Sequence, residues 1–214
     1  MRNTAIVLVI FMLFSACDRR PKQQDVVLDH NTMDHSKMDH SAMESSPNAA
    51  SAPYELQFID TMIVHHQGAI DMAQLVQTRA QHPELKKLAA DIIEAQQKEI
   101  EQMRSWRSEG FSGAAPAINM DLPGMHDGMK GMDLAKLDLL KENAFDLEFI
   151  RQMIPHHEGA VVMANDAIAR LGAQSIAAVG IRADLLSLAR EIVDAQEGEI
   201  NQMKDWQAQW ENAR

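Results

Sequence analysis

Two stretches of the chain place the same four donor side chains at the same spacing. FIDTMIVHHQGAIDMA runs from 58 to 73, and FIRQMIPHHEGAVVMA from 149 to 164. The first holds Met62, His65, His66 and Met72; the second holds Met153, His156, His157 and Met163. Thioether sulfur is a soft donor and imidazole a borderline one. Together, without thiolate, they suit Cu(I) and, by the same softness, Ag(I). Zinc would favour Cys, His and carboxylate, and calcium or magnesium would want oxygen. Methionine binds Cu(I) without losing a proton, so it works where free thiols are unreliable.

Further donors follow the same duplication. LAADIIEAQQKEIEQMRSW at 88–106 matches LAREIVDAQEGEINQMKDW at 188–206. This adds Glu99 with Met103 and Glu199 with Met203, and Gln96 and Gln196 lie one turn earlier. A single helical Met is most simply a filler of core gaps. Here all six form matched pairs, two of them beside a duplicated His-His. Seven more methionines lie in polar segments. NTMDHSKMDHSAME carries Met33, Met38 and Met43 interleaved with His35 and His40, and His30 stands just before it. NMDLPGMHDGMKGM carries Met120, Met125, Met129 and Met132 around His126. Neither segment has apolar periodicity, so both are expected to lie outside any core and to capture ions in flexible chain.

Helices must position these donors. Apolar periodicity predicts a helix over 54–80 and, after His82-Pro83, a second to about 109, with Pro83 in its first turn. Residues 110–133 read as a Gly/Pro/Met loop. A third helix is expected over 136–171. Gly172 and Gly180 bracket a connection, and a fourth helix runs to about 210. The first part of the repeat is offset by 91 residues and the second by 100, so the second copy's turn is longer. Each unit is a helical hairpin, with repeat one at 54–109 and repeat two at 136–210. One hairpin has too little core to be stable alone. Two related by a pseudo-twofold axis make an all-α four-helix bundle. Within it Met62 and His66 share a helix face, while His65 and Met72 lie two turns apart on one stripe. Adjacent histidines diverge, so one can face the interior while the other faces a neighbouring helix or solvent. Pro155 stands where the first copy has Val64, which removes one helical hydrogen bond and would distinguish the two sites. Trp106 and Trp206 read as matched packing anchors.

The chain has 214 residues, with 46% hydrophobic and 24% charged residues, enough for one globular domain with tails. Its formal charge of -11 argues against nucleic acid as a partner. The single cysteine excludes an intramolecular disulfide. MRNTAIVLVIFMLFSACDRR has Arg2, an apolar run from Ala5 to Phe14 and small residues before Cys17. The run is too short to span a bilayer and fits a secretory leader over 1–16. Cys17 would then be the lipid-bearing first residue of a tether over 17–50, ahead of a bundle domain over 51–214. Asp18 suggests retention at the inner membrane, on the periplasmic side.

The pattern M-I-x-H-H-x-G-A-x-x-M-A, followed by A-Q-x-x-E-I-x-Q-M-x-x-W, resembles the bacterial domain-of-unknown-function family numbered 305. The resemblance covers roughly 54–210 and implies a ferritin-like four-helix bundle. It also implies copper binding through the Met and His positions named above, as in exported relatives linked to copper tolerance. The expectation is thus an exported, non-enzymatic protein. It would hold Cu(I) or Ag(I) for sequestration, tolerance or transfer, with a copper exporter or oxidase as possible partner. A ferritin-like di-metal oxidase or ferroxidase is the alternative, but it needs Glu-x-x-His motifs, and none is present. A structural helical lipoprotein is the third reading.

Overall fold

The structure is a computed structural model that describes residues 43–173 and 180–212. A 3-10 turn at Ala49–Ser51 precedes six helices: α1 (Tyr54–Arg79), α2 (Pro83–Gly110), α3 (Met125–Met129), α4 (Leu134–Leu139), α5 (Glu142–Ala173) and α6 (Ile181–Asn212). The predicted leader, Cys17, Asp18 and the tether donors His30, Met33, His35, Met38 and His40 lie outside the described residues. Among the described residues no helix is long and apolar enough to cross a membrane.

The four long helices form a bundle of two hairpins. α1 packs along α2 and α5 along α6. The hairpins meet chiefly through α1 against α5, with a lighter contact of α2 on α6. The core is continuous across both, from Phe58, Ile59 and Ile92 in one hairpin to Phe145, Phe149 and Ile192 in the other. Pro83 opens α2 as its first residue. The preceding turn is held by the buried Asp146 carboxylate. It accepts the backbone N–H of Gln81 at 3.1 Å and of His82 at 2.9 Å, and lies 2.6 Å from His82 Nδ1. At the opposite end, the Tyr54 hydroxyl donates to Asp166 at 2.8 Å and Arg182 pairs with Glu55.

The third predicted helix is two helices in the structure. α4 is capped by Asp133, which accepts the Lys136 N–H at 2.8 Å. It docks by the buried Leu137 and by a Lys136–Glu148 ion pair at 2.7 Å. The chain then turns through an extended Leu140, and α5 opens on a left-handed Glu142 (φ 56°). Apolar spacing continues across this break, so periodicity alone reads it as one helix.

The loop at 110–133 departs further from expectation. Met125, Met129 and Met132 are core residues, packed with Leu122, and Met120 and Met43 are partly buried against the same core. The loop folds inward because α1 offers it buried polar partners. Asp60 accepts the Ala117 N–H at 2.9 Å and the Arg107 guanidinium at 2.6 Å. Thr61 accepts the Asn119 N–H at 2.9 Å, and Gln57 accepts the Asn119 amide at 2.7 Å. Satisfied in this way, a polar segment can be buried. The tryptophan anchors also differ. Trp106 is buried, but in the second repeat Trp206 is half-buried and Trp210 is the buried ring. Trp210 stacks on His82 at 3.8 Å and on Trp206 at 5.4 Å.

Candidate metal centre

Successive helical residues are rotated by about 100°, and the two His pairs use that divergence in the same way. The first of each pair points at the other hairpin. The His65 and His156 rings lie 3.9 Å apart, centroid to centroid, tilted by 40°. The second of each pair points at its own hairpin partner. His66 Nε2 is 2.6 Å from Glu99, and His157 Nε2 is 2.8 Å from Glu199. All four rings are fully buried, so neither member of a pair looks to solvent.

This arrangement leaves donors without partners. Neither ring nitrogen of His65 has a hydrogen bond, nor has Nδ1 of His66 or of His157. A carboxylate only accepts, so each Nε2 facing Glu99 or Glu199 carries the proton. In the neutral ring Nδ1 then holds a free lone pair. Burial, reinforced by nearby His66 and His157, holds the His65 ring well below the ordinary histidine pKa, so this ring is a neutral donor. Burying such atoms unpaired is costly, and a metal ion would satisfy them. Glu99 and Glu199 sit where outer carboxylates orient imidazole ligands. Gln96 and Gln196, also buried, each have an unpaired Oε1 at matching positions.

The thioethers line the same interior. Met62, Met72, Met103, Met153, Met163 and Met203 are all fully buried in the continuous core. From the loop, Met125, Met129 and Met132 join them. Met120 stays at the edge, and His126 is not brought in: its side chain is exposed and 3.6 Å from Asp127. Among the described residues no three His, Cys, Asp or Glu side chains converge as a metal-holding group. A centre of three or more side-chain donors here therefore draws on other donor types, and the buried methionines supply the soft ones.

The glycines were missed as site residues. Gly68 and Gly159 are the duplicated Gly of H-H-x-G-A, each inside a long helix, where Gly costs about 1 kcal/mol relative to Ala. A Cβ on Gly68 would stand 3.0 Å from Met132 Sδ and 3.3 Å from His156 Nε2. One on Gly159 would stand 2.6 Å from the Gly124 carbonyl oxygen and 2.6 Å from Gly128 Cα. A helix-interior Gly kept in both repeats was the available signal.

Fold and site together define a class: a two-hairpin helical bundle whose interface buries unpaired imidazoles among methionines. The chain belongs to the DUF305 family (Domain of unknown function), whose profile matches residues 16–107 and 55–207. It is similar to the solved structure of CopM in its Cu(II)-bound form, with 41% identity over 73% of this chain and 97% of that one, TM-score 0.59. The Cu(I)-bound form of CopM matches at 39% identity over 73% and 96%, TM-score 0.58. A co-crystallized Ag-bound form matches at 39% over the same shares, TM-score 0.57. A DUF305 protein from Streptomyces coelicolor is 30% identical over 73% of this chain and 93% of that one, TM-score 0.57. Protein L153 of Acanthamoeba polyphaga mimivirus is 45% identical over 49 residues, 23% of this chain. The match spans 32% of the length of that curated relative.

Proposed function

We propose that this protein binds Cu(I) and Ag(I) in the bundle interior, through imidazoles of the two His pairs and thioethers of the surrounding methionines. The observation that carries this reading is the set of fully buried, unpaired ring nitrogens on His65, His66 and His157 in a methionine-lined core. Such a site favours a soft, weakly hydrated monovalent ion, since it offers little charge to a divalent one. CopM, a similar bundle bound to Cu(I), Cu(II) and Ag, supports copper and silver binding, and the donor set argues for the monovalent ions.

The role is binding for sequestration, tolerance or transfer, not catalysis. The leader-like N-terminus and Cys17 support a location outside the cytoplasm, lipid-anchored and facing the periplasm, and Asp18 supports the inner membrane. A copper exporter or oxidase is the natural recipient there. The Met/His tether at 30–43 captures ions, and the bundle holds them.

The test is an anaerobic Cu(I) titration against a chromophoric competitor. A second sample carries Met→Leu at Met62, Met72, Met103, Met153, Met163 and Met203, with helicity checked by circular dichroism. Binding much tighter than micromolar, weakened in the folded variant, supports the reading. Binding no tighter than micromolar would sink it.

A further inference from the structure

Four fully buried histidines pose an access problem: an ion reaches them only if some element moves. The geometry identifies that element. Residues 124–132, in the connection between the repeats, lie directly over the His65–His156 pair. His65 Nε2 is 2.8 Å from where a Gly128 Cβ would stand, so α3 backbone covers one imidazole. Met132 Sδ and His156 Nε2 border the same small volume beside Gly68, at 3.0 and 3.3 Å from its Cβ position. Gly124 and Gly128 press on Gly159 backbone to backbone, with the Val162 side chain and the His156 carbonyl bordering the contact. Gly68 and Gly159, equivalent in the repeat, are thus the two seats of this segment: one takes the Met132 side chain, the other takes α3.

The polar ties of the connection are at its ends. Ala117 and Asn119 are held by Asp60, Thr61 and Gln57, and the Asp133 N–H donates to Gln152 at 2.8 Å. Between these pins the segment rests on Met125, Met129 and Met132 and on glycine backbone. Methionine is adaptable, and its contacts can re-form after displacement. Its sulfur is also the donor type this interior favours.

We propose that residues 124–132 form a hinged cover over the His65–His156 pair, and that the Met132 thioether joins those two imidazoles as a Cu(I) ligand when the cover is closed. This rests on the Cu(I) reading above. The cover lifts between its pins, admits the ion, and returns with a ligand attached, so that loading and closure are one event. Gly68 and Gly128 are small because a side chain at either would occupy the space of sulfur or imidazole.

The experiment compares the unaltered protein with Met132→Leu, which keeps apolar bulk and removes the donor. Both are loaded anaerobically with less than one equivalent of Cu(I). X-ray absorption counts sulfur ligands, competitor titration gives affinity, and amide exchange follows residues 124–132 with and without metal. The expected result is one sulfur fewer and about tenfold or more weaker binding in the variant. Protection of 124–132 should rise on loading only in the unaltered protein. Tight Cu(I) binding by both proteins, with equal sulfur counts and no change in exchange at 124–132, would overturn the cover while leaving the copper reading intact. Failure of the unaltered protein to bind Cu(I) would overturn both. Should the variant misfold, exchange in the unaltered protein decides: a rise in protection on loading supports the cover, and no change overturns it.

Discussion

His65 and His156 face each other across the junction of the two hairpins, with ring centroids 3.9 Å apart. They come from equivalent positions of the repeat, so the pair exists only when both repeats are folded together. Their neighbours, His66 and His157, stay within their own hairpins on Glu99 and Glu199.

The metal-free protein should lose stability in mild acid. Burial holds the His65 pKa well below its ordinary 6.5. Above about pH 6.5 the ring is neutral in folded and unfolded chains alike, and this contribution is intact. As pH falls below 6.5, the unfolded chain binds a proton that the folded chain refuses. Stability then declines with a slope approaching about 1.4 kcal/mol per pH unit for one proton. Urea titrations across this range should show the decline, and His65→Leu should remove its share.

Glu99→Gln and Glu199→Gln should weaken Cu(I) binding without unfolding the bundle. Each carboxylate fixes which nitrogen of its histidine carries the proton and holds the ring's orientation, leaving the other nitrogen to face a metal. Loss of such an outer partner costs about 10–100-fold in metal affinity. Competitor titration measures the loss, with circular dichroism as the control for fold. Unchanged affinity in both variants would mean the Glu–His pairs serve packing alone.

Two helix-interior glycines should respond to alanine with opposite signs. Gly159→Ala drives a methyl into the Gly124 carbonyl and Gly128 Cα, both backbone, and should destabilise by about 1–3 kcal/mol. Gly198 in α6 has nothing within 4 Å of its Cβ position, and Gly198→Ala should stabilise by about 0.5–1 kcal/mol. Thermal melts of the two variants settle the comparison.

The long helices were legible because their apolar spacing is sustained, because Pro83 marks the α2 start, and because the repeat doubles the Glu/Met stripe in α2 and α6. The His pairs were legible by type, but not by direction. Only packing shows that His65 meets His156 while His66 meets Glu99. The fate of Met125, Met129 and Met132 was hidden, because a loop rich in Gly and Asp has no periodicity to betray burial. What draws it inward is Asp60, Thr61 and Gln57 on α1, three polar residues that look like an ordinary solvated stretch. The break before Glu142 was hidden for the converse reason, since apolar spacing continues across it.

The central claim is that histidines of both repeats hold one ion between them. An anaerobic Cu(I) competitor titration of His65→Leu, His156→Leu and the double variant tests it most directly. A shared site predicts that each single change weakens the tightest binding by about tenfold or more, and that the double change adds little to either. Two independent losses that add in the double variant, or no loss in any of them, would contradict it.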